Sequence, residues 1–248
     1  MINQELAVGI LEKVGYRADA VANGKEVLSA LEKGSYDLIL MDVQMPEMDG
    51  FEATAAIRRK ERENGKHIPI IAMTAHAMKG DRERCLEAGM NDYVSKPLSA
   101  RALVEVLEKW LPKENAEGAT RNGESRKGKE KDEGSSPIVW DRAALLERLM
   151  GDEELARRIL EYFRTDTPRQ IQALKDLLEA EDPSGAERQA HAIKGVAGNV
   201  GGEALRAVAF EMEEASRAGD LDAVQACMAE LESQFERLKQ AMTTDHWG

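Results

Sequence analysis

A 24-residue segment divides this chain and most limits how the chain can fold. Residues 113–136 contain no Val, Ile, Leu, Met or aromatic residue, and they carry six basic and six acidic groups among Gly and Ser. Such a segment cannot bury enough apolar surface to offset the entropy lost on ordering, so we predict a flexible linker. The 248 residues therefore divide into two domains, residues 1–112 and residues 137–243.

Charge and cysteine content exclude several classes of protein. The net charge is −12: residues 1–112 carry 15 basic and 18 acidic groups, and residues 137–248 carry 13 and 22. An acidic surface repels nucleic acid and anionic lipid, so we expect no nucleic-acid partner. No apolar run approaches the roughly 20 residues of a membrane span. Cys85 and Cys227 lack the spacing of a disulfide framework or a zinc site, which predicts a cytoplasmic protein.

Short apolar runs alternate with helical patterns in the first half. The runs are Arg17–Val21, Asp37–Met41, Ile68–Met73 and Asp92–Ser95. Helical patterns precede, separate and follow them, at Gln4–Val14, Lys25–Lys33, Phe51–Glu63, Met78–Ala88 and Ala100–Trp110. This alternation predicts an α/β domain, a parallel sheet with helices on both faces. Ligands of such sheets bind beyond the carboxyl ends of the strands.

The second half has helical periodicity throughout. In its last helix, apolar residues recur at alternating steps of three and four from Leu221 to Met242, a pattern that also fits a coiled coil. Matching stripes at Leu155–Leu177, Ala190–Val200 and Leu205–Ala215 favour an antiparallel four-helix bundle. We expect Pro168 to kink or interrupt the long helix that begins at Glu153.

Three strands of the first half each end on a polar residue. Asp42 and Thr74 follow two apolar runs directly, and Lys96 follows the last run. Each residue has an ordinary interpretation alone, since an Asp after a strand is often a cap or an Asx turn. Together, a carboxylate, a hydroxyl and an ammonium at one sheet edge suit phosphoryl transfer onto Asp42.

The residues around these three positions resemble the receiver domain of two-component response regulators, above all receivers fused to hybrid sensor histidine kinases. The matching segments are Leu40–Gly50, Ala72–Ala75 and Tyr93–Pro97. The resemblance covers nearly all of residues 1–112 and implies a flavodoxin-like fold. It also implies that the peptide bond between Lys96 and Pro97 is cis.

The same resemblance implies a role for each site residue. Asp42 is the expected phosphoacceptor, Lys96 pairs with the phosphate, Thr74 is the switch hydroxyl and Tyr93 is the aromatic that moves with it. Gln44 lies where a backbone carbonyl binds Mg²⁺. Gln44 also argues against a haloacid-dehalogenase-type phosphatase, which needs a second Asp at this position as its general acid.

Part of the receiver pattern is missing from the sequence. Receivers begin with a strand that ends in paired acidic residues, which bind Mg²⁺ together with the phosphoacceptor; residues 1–5 resemble the start of the following helix instead. We expect the missing carboxylates to weaken Mg²⁺ binding and phosphorylation of Asp42. A fragment is the favoured explanation; a natural, degenerate receiver and a strand donated by another chain are alternatives.

A second candidate phosphoacceptor lies in the helical half, within Gln189–Asn199. On a helix, His191, Lys194 and Gly198 share one stripe, which we expect to face away from the core and into solvent. Gly195 and Gly198 would let another protein approach closely, although a plain packing role is also open. No His or Cys lies four residues from His191, so zinc is not expected.

This stretch and its helical surroundings resemble a histidine phosphotransfer domain over residues 138–242. The resemblance implies that the His191 imidazole accepts and donates a phosphoryl group, supported by Lys194, Gly195 and Gly198. With the receiver, it predicts a phosphorelay protein in which the phosphoryl group passes from an upstream histidine kinase to Asp42, then His191, then a partner's receiver.

Other functions stay open at this point. Reverse flow would use the same residues. A non-catalytic docking module with a degenerate receiver, and the tail of a hybrid sensor kinase, are the alternatives. No glycine-rich ATP-binding segment occurs, so we expect no ATP-dependent kinase activity from this chain itself.

Overall fold

The computed structural model describes residues 2–74, 79–111 and 139–244. The predicted linker, residues 113–136, lies outside the described residues. The two predicted domains are therefore seen on either side of it.

The first half is an α/β unit. Its elements in chain order are α1 (Ile2–Lys13), α2 (Gly24–Lys33), β1 (Ile39–Asp42), α3 (Gly50–Asn64), β2 (Ile70–Thr74), α4 (Lys79–Glu87), β3 (Asp92–Ser95) and α5 (Ala100–Trp110). The three strands form a parallel sheet in the order β1-β2-β3. Asp42 pairs with Met73 and Thr74 with Ser95, so the carboxyl ends of the strands meet at one edge.

Helices cover both faces of this sheet, as the apolar runs predicted. On β2, Ile71 points to the face that buries Leu6 and Ile10 of α1 and Leu103 of α5. Its neighbour Ile70 belongs to the opposite core, which α2 and α3 complete. Successive residues of a strand face opposite sides, so a run without polar residues fits a strand that is buried on both faces.

One predicted strand is wrong. The segment Arg17–Val21 has extended stretches but forms no ladder with any described strand. Side chains bond to it instead: Tyr36 donates its hydroxyl to Asp19, and Gln4 donates to the carbonyl of Val21. A strand exists only through hydrogen bonds to a neighbour, and none of the described strands runs beside this segment.

The second half is an all-helical unit, and the predicted four-helix bundle is confirmed. Its helices are α6 (Arg142–Arg148), α7 (Glu153–Glu179), α8 (Pro183–Val200), α9 (Glu203–Arg217) and α10 (Leu221–Thr244). Asp141, Asp152 and Asp182 cap the first three by accepting backbone N–H groups through their carboxylates. Of the kink or interruption expected at Pro168, the interruption is wrong, because α7 continues through this residue.

The bundle core is made by the apolar stripes read from the sequence. Val224, Leu231 and Leu238 of α10 are fully buried, as a helix packed inside a bundle requires. Phe163 of α7 is also fully buried, and its ring centroid lies 5.5 Å from that of Phe235. The apolar stripe of α10 therefore packs against the other helices of the bundle.

The α/β unit and the bundle pack against each other. Helix α1 lies against α7 and α8, and the apolar residues of all three helices belong to one continuous cluster. Leu6 and Ile10 of α1 and Leu155 and Ile159 of α7 are members of it. The two units thus share an apolar contact although the sequence predicts separate cores. In the described ranges, no helix combines the length and the apolar character that a bilayer crossing demands.

We expect Phe163→Ala to lower the free energy of unfolding by roughly 3–5 kcal/mol, because it opens a cavity in the bundle core. Denaturant unfolding followed by circular dichroism measures this. Phe210→Ala is the matched control: Phe210 is 41% exposed, so its loss should cost far less. Equal losses in the two variants would contradict this account of the core.

Candidate functional site

The carboxyl ends of the three strands gather the residues predicted for the first site. Asp42 ends β1, Thr74 ends β2 and Lys96 directly follows β3. The Lys96 ammonium lies 2.5 Å from Oδ2 of Asp42, and the backbone N–H of Gln44 donates to Oδ1 at 3.2 Å. Lys96 is 8% exposed, so its charge is aimed at Asp42 and largely shielded from water.

The loop after Asp42 closes tightly on the backbone of the site. Gly50 donates its N–H to the carbonyl of Val43 at 3.0 Å, and a Cβ on Gly50 would lie 2.3 Å from the Asp42 carbonyl oxygen. Only glycine permits this approach. Asp49 then caps α3 in a reciprocal capping box with Glu52. The turn therefore fixes where the Asp42 carboxylate sits.

The two remaining predicted residues of this site border it. Thr74 is buried and its carbonyl accepts the backbone N–H of Lys96 at 2.6 Å. Tyr93 is half-buried, with the Arg82 guanidinium 5.8 Å from its ring centroid. The peptide bond between Lys96 and Pro97 is cis, as the family resemblance implied.

The second site is built on α8 and α9. His191 and Lys194 lie one turn apart on α8, and both approach Glu213 of α9. Nδ1 of His191 is 3.0 Å from Oε1 of Glu213, and the Lys194 ammonium forms an ion pair with Oε2. Arg217 lies 3.2 Å from the same carboxylate. One carboxylate therefore joins three nitrogen-bearing side chains.

Glu213 fixes which nitrogen of the imidazole is free. An ionised carboxylate only accepts hydrogen bonds, so Nδ1 of His191 must carry the proton that it donates. In the neutral ring, Nε2 then carries the lone pair. The hydrogen bonds and charges of His191 and Lys194 outweigh burial and hold the pKa of Glu213 at about 2.

The expectation that His191 faces solvent is wrong. His191 is 8% exposed and Lys194 is 6% exposed. The helical stripe was correctly identified, because His191, Lys194 and Gly198 do line one cavity together. That cavity is closed by α9 and by the first unit, which a helical wheel of α8 alone does not show.

Residues of both units line this cavity. Its volume is about 330 Å³. Lys96 and Pro97 line it from the α/β unit, and residues of α8 and α9 line it from the bundle, namely His191, Lys194, Gly195, Gly198, Glu203, Arg206, Ala207 and Phe210. The Lys194 ammonium also lies 5.4 Å from the ring centroid of Phe210. Lys96, whose ammonium pairs with Asp42, therefore borders the same cavity as His191.

The glycines predicted to allow close approach have different surroundings. A Cβ on Gly198 would lie 3.2 Å from Cδ of Arg206 and 3.9 Å from Cβ of Pro97. Gly195 lines the same cavity. The α/β unit thus does come close to α8 at Gly198, and the side chain of Arg206 fills the remaining space.

Metal ligands are sparse at the first site. Asp42 offers a carboxylate and Gln44 a backbone carbonyl, both hard oxygen donors of the kind that Mg²⁺ prefers. Within residues 2–74, 79–111 and 139–244, no group of three or more His, Cys, Asp or Glu side chains is arranged to hold a metal ion. The described donor set is therefore partial.

Two family models match separate parts of the chain. A family model described as a response regulator receiver domain matches residues 1–108, and one described as an Hpt domain matches residues 158–241. The chain is 34% identical over 231 residues to the sensor histidine kinase GacS of Pseudomonas protegens. The aligned region covers 92% of this chain and 24% of GacS. The chain therefore spans about a quarter of that relative's length.

Two solved structures are similar to part of the chain. The receiver domain of the sensor histidine kinase PA1611 from Pseudomonas aeruginosa, crystallised with magnesium in its active-site cleft, is 46% identical. It covers 44% of this chain and 88% of its own, with a TM-score of 0.40. A chain of the co-crystal of Ypd1 and the Ssk1 receiver domain from Saccharomyces cerevisiae is 32% identical. The match covers 44% of this chain and 81% of that chain, with a TM-score of 0.42.

We expect Glu213→Gln to lower the free energy of unfolding by roughly 3 kcal/mol at pH 7, because the buried Lys194 ammonium loses its counter-charge. Glu213 has a pKa of about 2 in the folded chain against an ordinary 4.5, so its ionised form stabilises the fold above about pH 4.5. That stabilisation is lost as the pH falls toward 2. Unfolding curves at several pH values should therefore show the variant and the wild type converging in acid.

Glu214→Gln is the matched control for this prediction. Glu214 is the next residue on α9, is half-exposed and pairs with Arg217. Its replacement should change stability by less than about 1 kcal/mol at every pH. A Glu213→Gln variant that lost no more stability than this control would show that the buried carboxylate has no special role.

Proposed function

The chain carries a response regulator receiver domain followed by an Hpt domain, and we propose that a phosphoryl group passes between Asp42 and His191 within one molecule. This pair of domains belongs to phosphorelay signalling. The observation that supports transfer within the molecule is the shared cavity, which Lys96 lines from the receiver and His191 from the bundle.

The side chains that act in this transfer are Asp42 and Lys96 of the receiver and His191 and Glu213 of the bundle. Nε2 of His191 attacks the phosphorus of an acyl phosphate on Asp42, the bond between phosphorus and the Asp42 oxygen breaks, and the free carboxylate is restored. The proton on Nδ1 stays in its hydrogen bond to Glu213, whose negative charge balances the phosphorylated imidazolium. Lys96 offsets charge on the phosphoryl oxygens and on the leaving carboxylate.

Mg²⁺ is the expected cofactor of the receiver, and the Asp42 carboxylate and the Gln44 carbonyl would hold it. When bound, it would neutralise charge on the phosphoryl oxygens. Mg²⁺ prefers about six oxygen ligands in octahedral geometry, and the described residues contain no group of three or more His, Cys, Asp or Glu side chains placed to hold a metal ion. We therefore propose that this chain binds Mg²⁺ weakly.

The expected partners are an upstream histidine kinase and a downstream receiver protein. Since the chain spans about a quarter of GacS, a second candidate is that it forms the tail of a hybrid sensor kinase. Both use Asp42 and His191 in the same way. A purely docking module would not carry phosphate, so phosphate labelling separates it from both. The cytoplasmic location and the domain boundaries read from the sequence stay predictions.

Loss of phosphate from His191 tests the transfer. We expect phosphoramidate to label wild-type chain and Asp42→Asn at His191, and to leave His191→Gln unlabelled. After removal of the donor, phosphorus NMR should show the phosphohistidine of the wild type decaying faster than that of Asp42→Asn, because Asp42 accepts the group and hydrolyses it. Equal decay in the two would contradict Asp42 as the acceptor.

Mixing variants tests whether transfer stays within one molecule. A tethered acceptor has an effective concentration on the order of millimolar. A micromolar mixture of labelled Asp42→Asn with His191→Gln should therefore transfer on the order of a hundredfold more slowly than the wild type, at a rate that rises with concentration. A wild-type rate proportional to protein concentration would contradict transfer within one molecule.

Acetyl phosphate tests the weakened Mg²⁺ site. With Mg²⁺ present, we expect poor labelling of Asp42, because few carboxylates hold the ion there, while His191 remains competent in the phosphoramidate reaction. Asp42→Asn measures the background. Robust labelling of Asp42 above that background would contradict the weak site.

A further inference from the structure

One face of α1 matches one face of α7 residue by residue. The α1 residues are spaced by four and the α7 residues by three, so each set forms a stripe on its helix. Numbers rise along α1 while they fall along α7, so the helices run antiparallel. The contacting pairs, which we call the seam, are Glu5 with Arg158, Gly9 with Leu155, and Lys13 with Asp152.

A glycine lies at the centre of the seam. A Cβ on Gly9 would lie 2.5 Å from Cδ1 of Leu155, closer than carbon atoms approach each other. Glycine inside a helix costs roughly 0.5–1 kcal/mol relative to alanine. Its position in the middle of α1 is therefore explained by the helix that packs on it.

Opposite charges lie at the two ends of the seam. The Lys13 ammonium lies 3.0 Å from Oδ2 of Asp152 and 3.4 Å from the carbonyl of Leu149. At the other end, the Glu5 carboxylate lies 3.8 Å from the Arg158 guanidinium. The signs alternate, so docking α1 in the reverse direction would place Glu5 beside Asp152. The two pairs select one orientation.

Docking through the seam brings the receiver over the phosphotransfer histidine. Pro97 and Lys96 line the cavity that contains His191, and His191 is 8% exposed. The receiver therefore lies on the side of the bundle where His191 borders the cavity. A second receiver approaching His191 from this side would meet a surface that is already covered.

We propose that the seam is a gate: while α1 is docked on α7, His191 exchanges phosphate with Asp42, and a partner's receiver reaches His191 only after α1 has left. The role of the gate in the relay rests on the proposed function. The geometry itself concerns only whether another molecule can reach His191. Weakening the seam favours the open state and should expose His191.

Chemical modification of histidine measures this access without phosphate. Diethyl pyrocarbonate transfers an ethoxycarbonyl group to a free imidazole nitrogen and releases ethanol and carbon dioxide; mass spectrometry then reports each histidine separately. His67, whose side chain is 57% exposed, is the internal reference. We expect Lys13→Glu and Gly9→Leu each to raise the ratio of His191 to His67 modification about tenfold, or about 1.4 kcal/mol of docking free energy.

Two further variants make the test specific. Lys60→Glu reverses a half-exposed lysine on α3, which faces the other core, and should leave the ratio unchanged. Glu5→Arg alone and Arg158→Glu alone should each change the ratio. The double variant Glu5→Arg with Arg158→Glu exchanges the two charges and should restore the wild-type ratio. A ratio that is the same in wild type, Lys13→Glu and Gly9→Leu would overturn the gate. Because no phosphate is involved, that result would leave the proposed transfer untouched.

Discussion

The approach of α1 to α7 at Gly9 and Leu155 is the contact on which the rest of the arrangement depends. It turns two units, each with its own secondary structure, into one body with a continuous apolar cluster. It also determines which edge of the sheet faces the bundle. The carboxyl ends of the strands, and not their opposite ends, then lie beside α8. The cavity between Lys96 and His191 is a consequence of this packing.

Much of the architecture was predictable because it depends on local pattern. The strands ending at Asp42 and Thr74 are apolar runs in a βα alternation, and parallel topology alone brings their carboxyl ends together. The bundle follows from stripes of apolar residues. Such features need no knowledge of which element packs on which.

The features below that the sequence did not predict correctly depend on tertiary contacts. Glu213 was overlooked, although it follows Ala209 by four residues on the buried stripe of α9; a carboxylate at such a position indicates a buried cation nearby. The burial of His191 was missed because a helical wheel does not show what covers a face. The Arg17–Val21 segment has strand composition, but composition cannot supply the neighbour that a strand requires.

Lys96 pairs with Asp42 and also borders the cavity that His191 lines. Lys194 borders that cavity from the other side. In the proposed transfer, the phosphoryl group would pass between these two lysines, whose charges are already in place. Each of these lysines is paired with a carboxylate, Lys96 with Asp42 and Lys194 with Glu213. The supply and removal of phosphate outside the molecule would decide which way the relay runs.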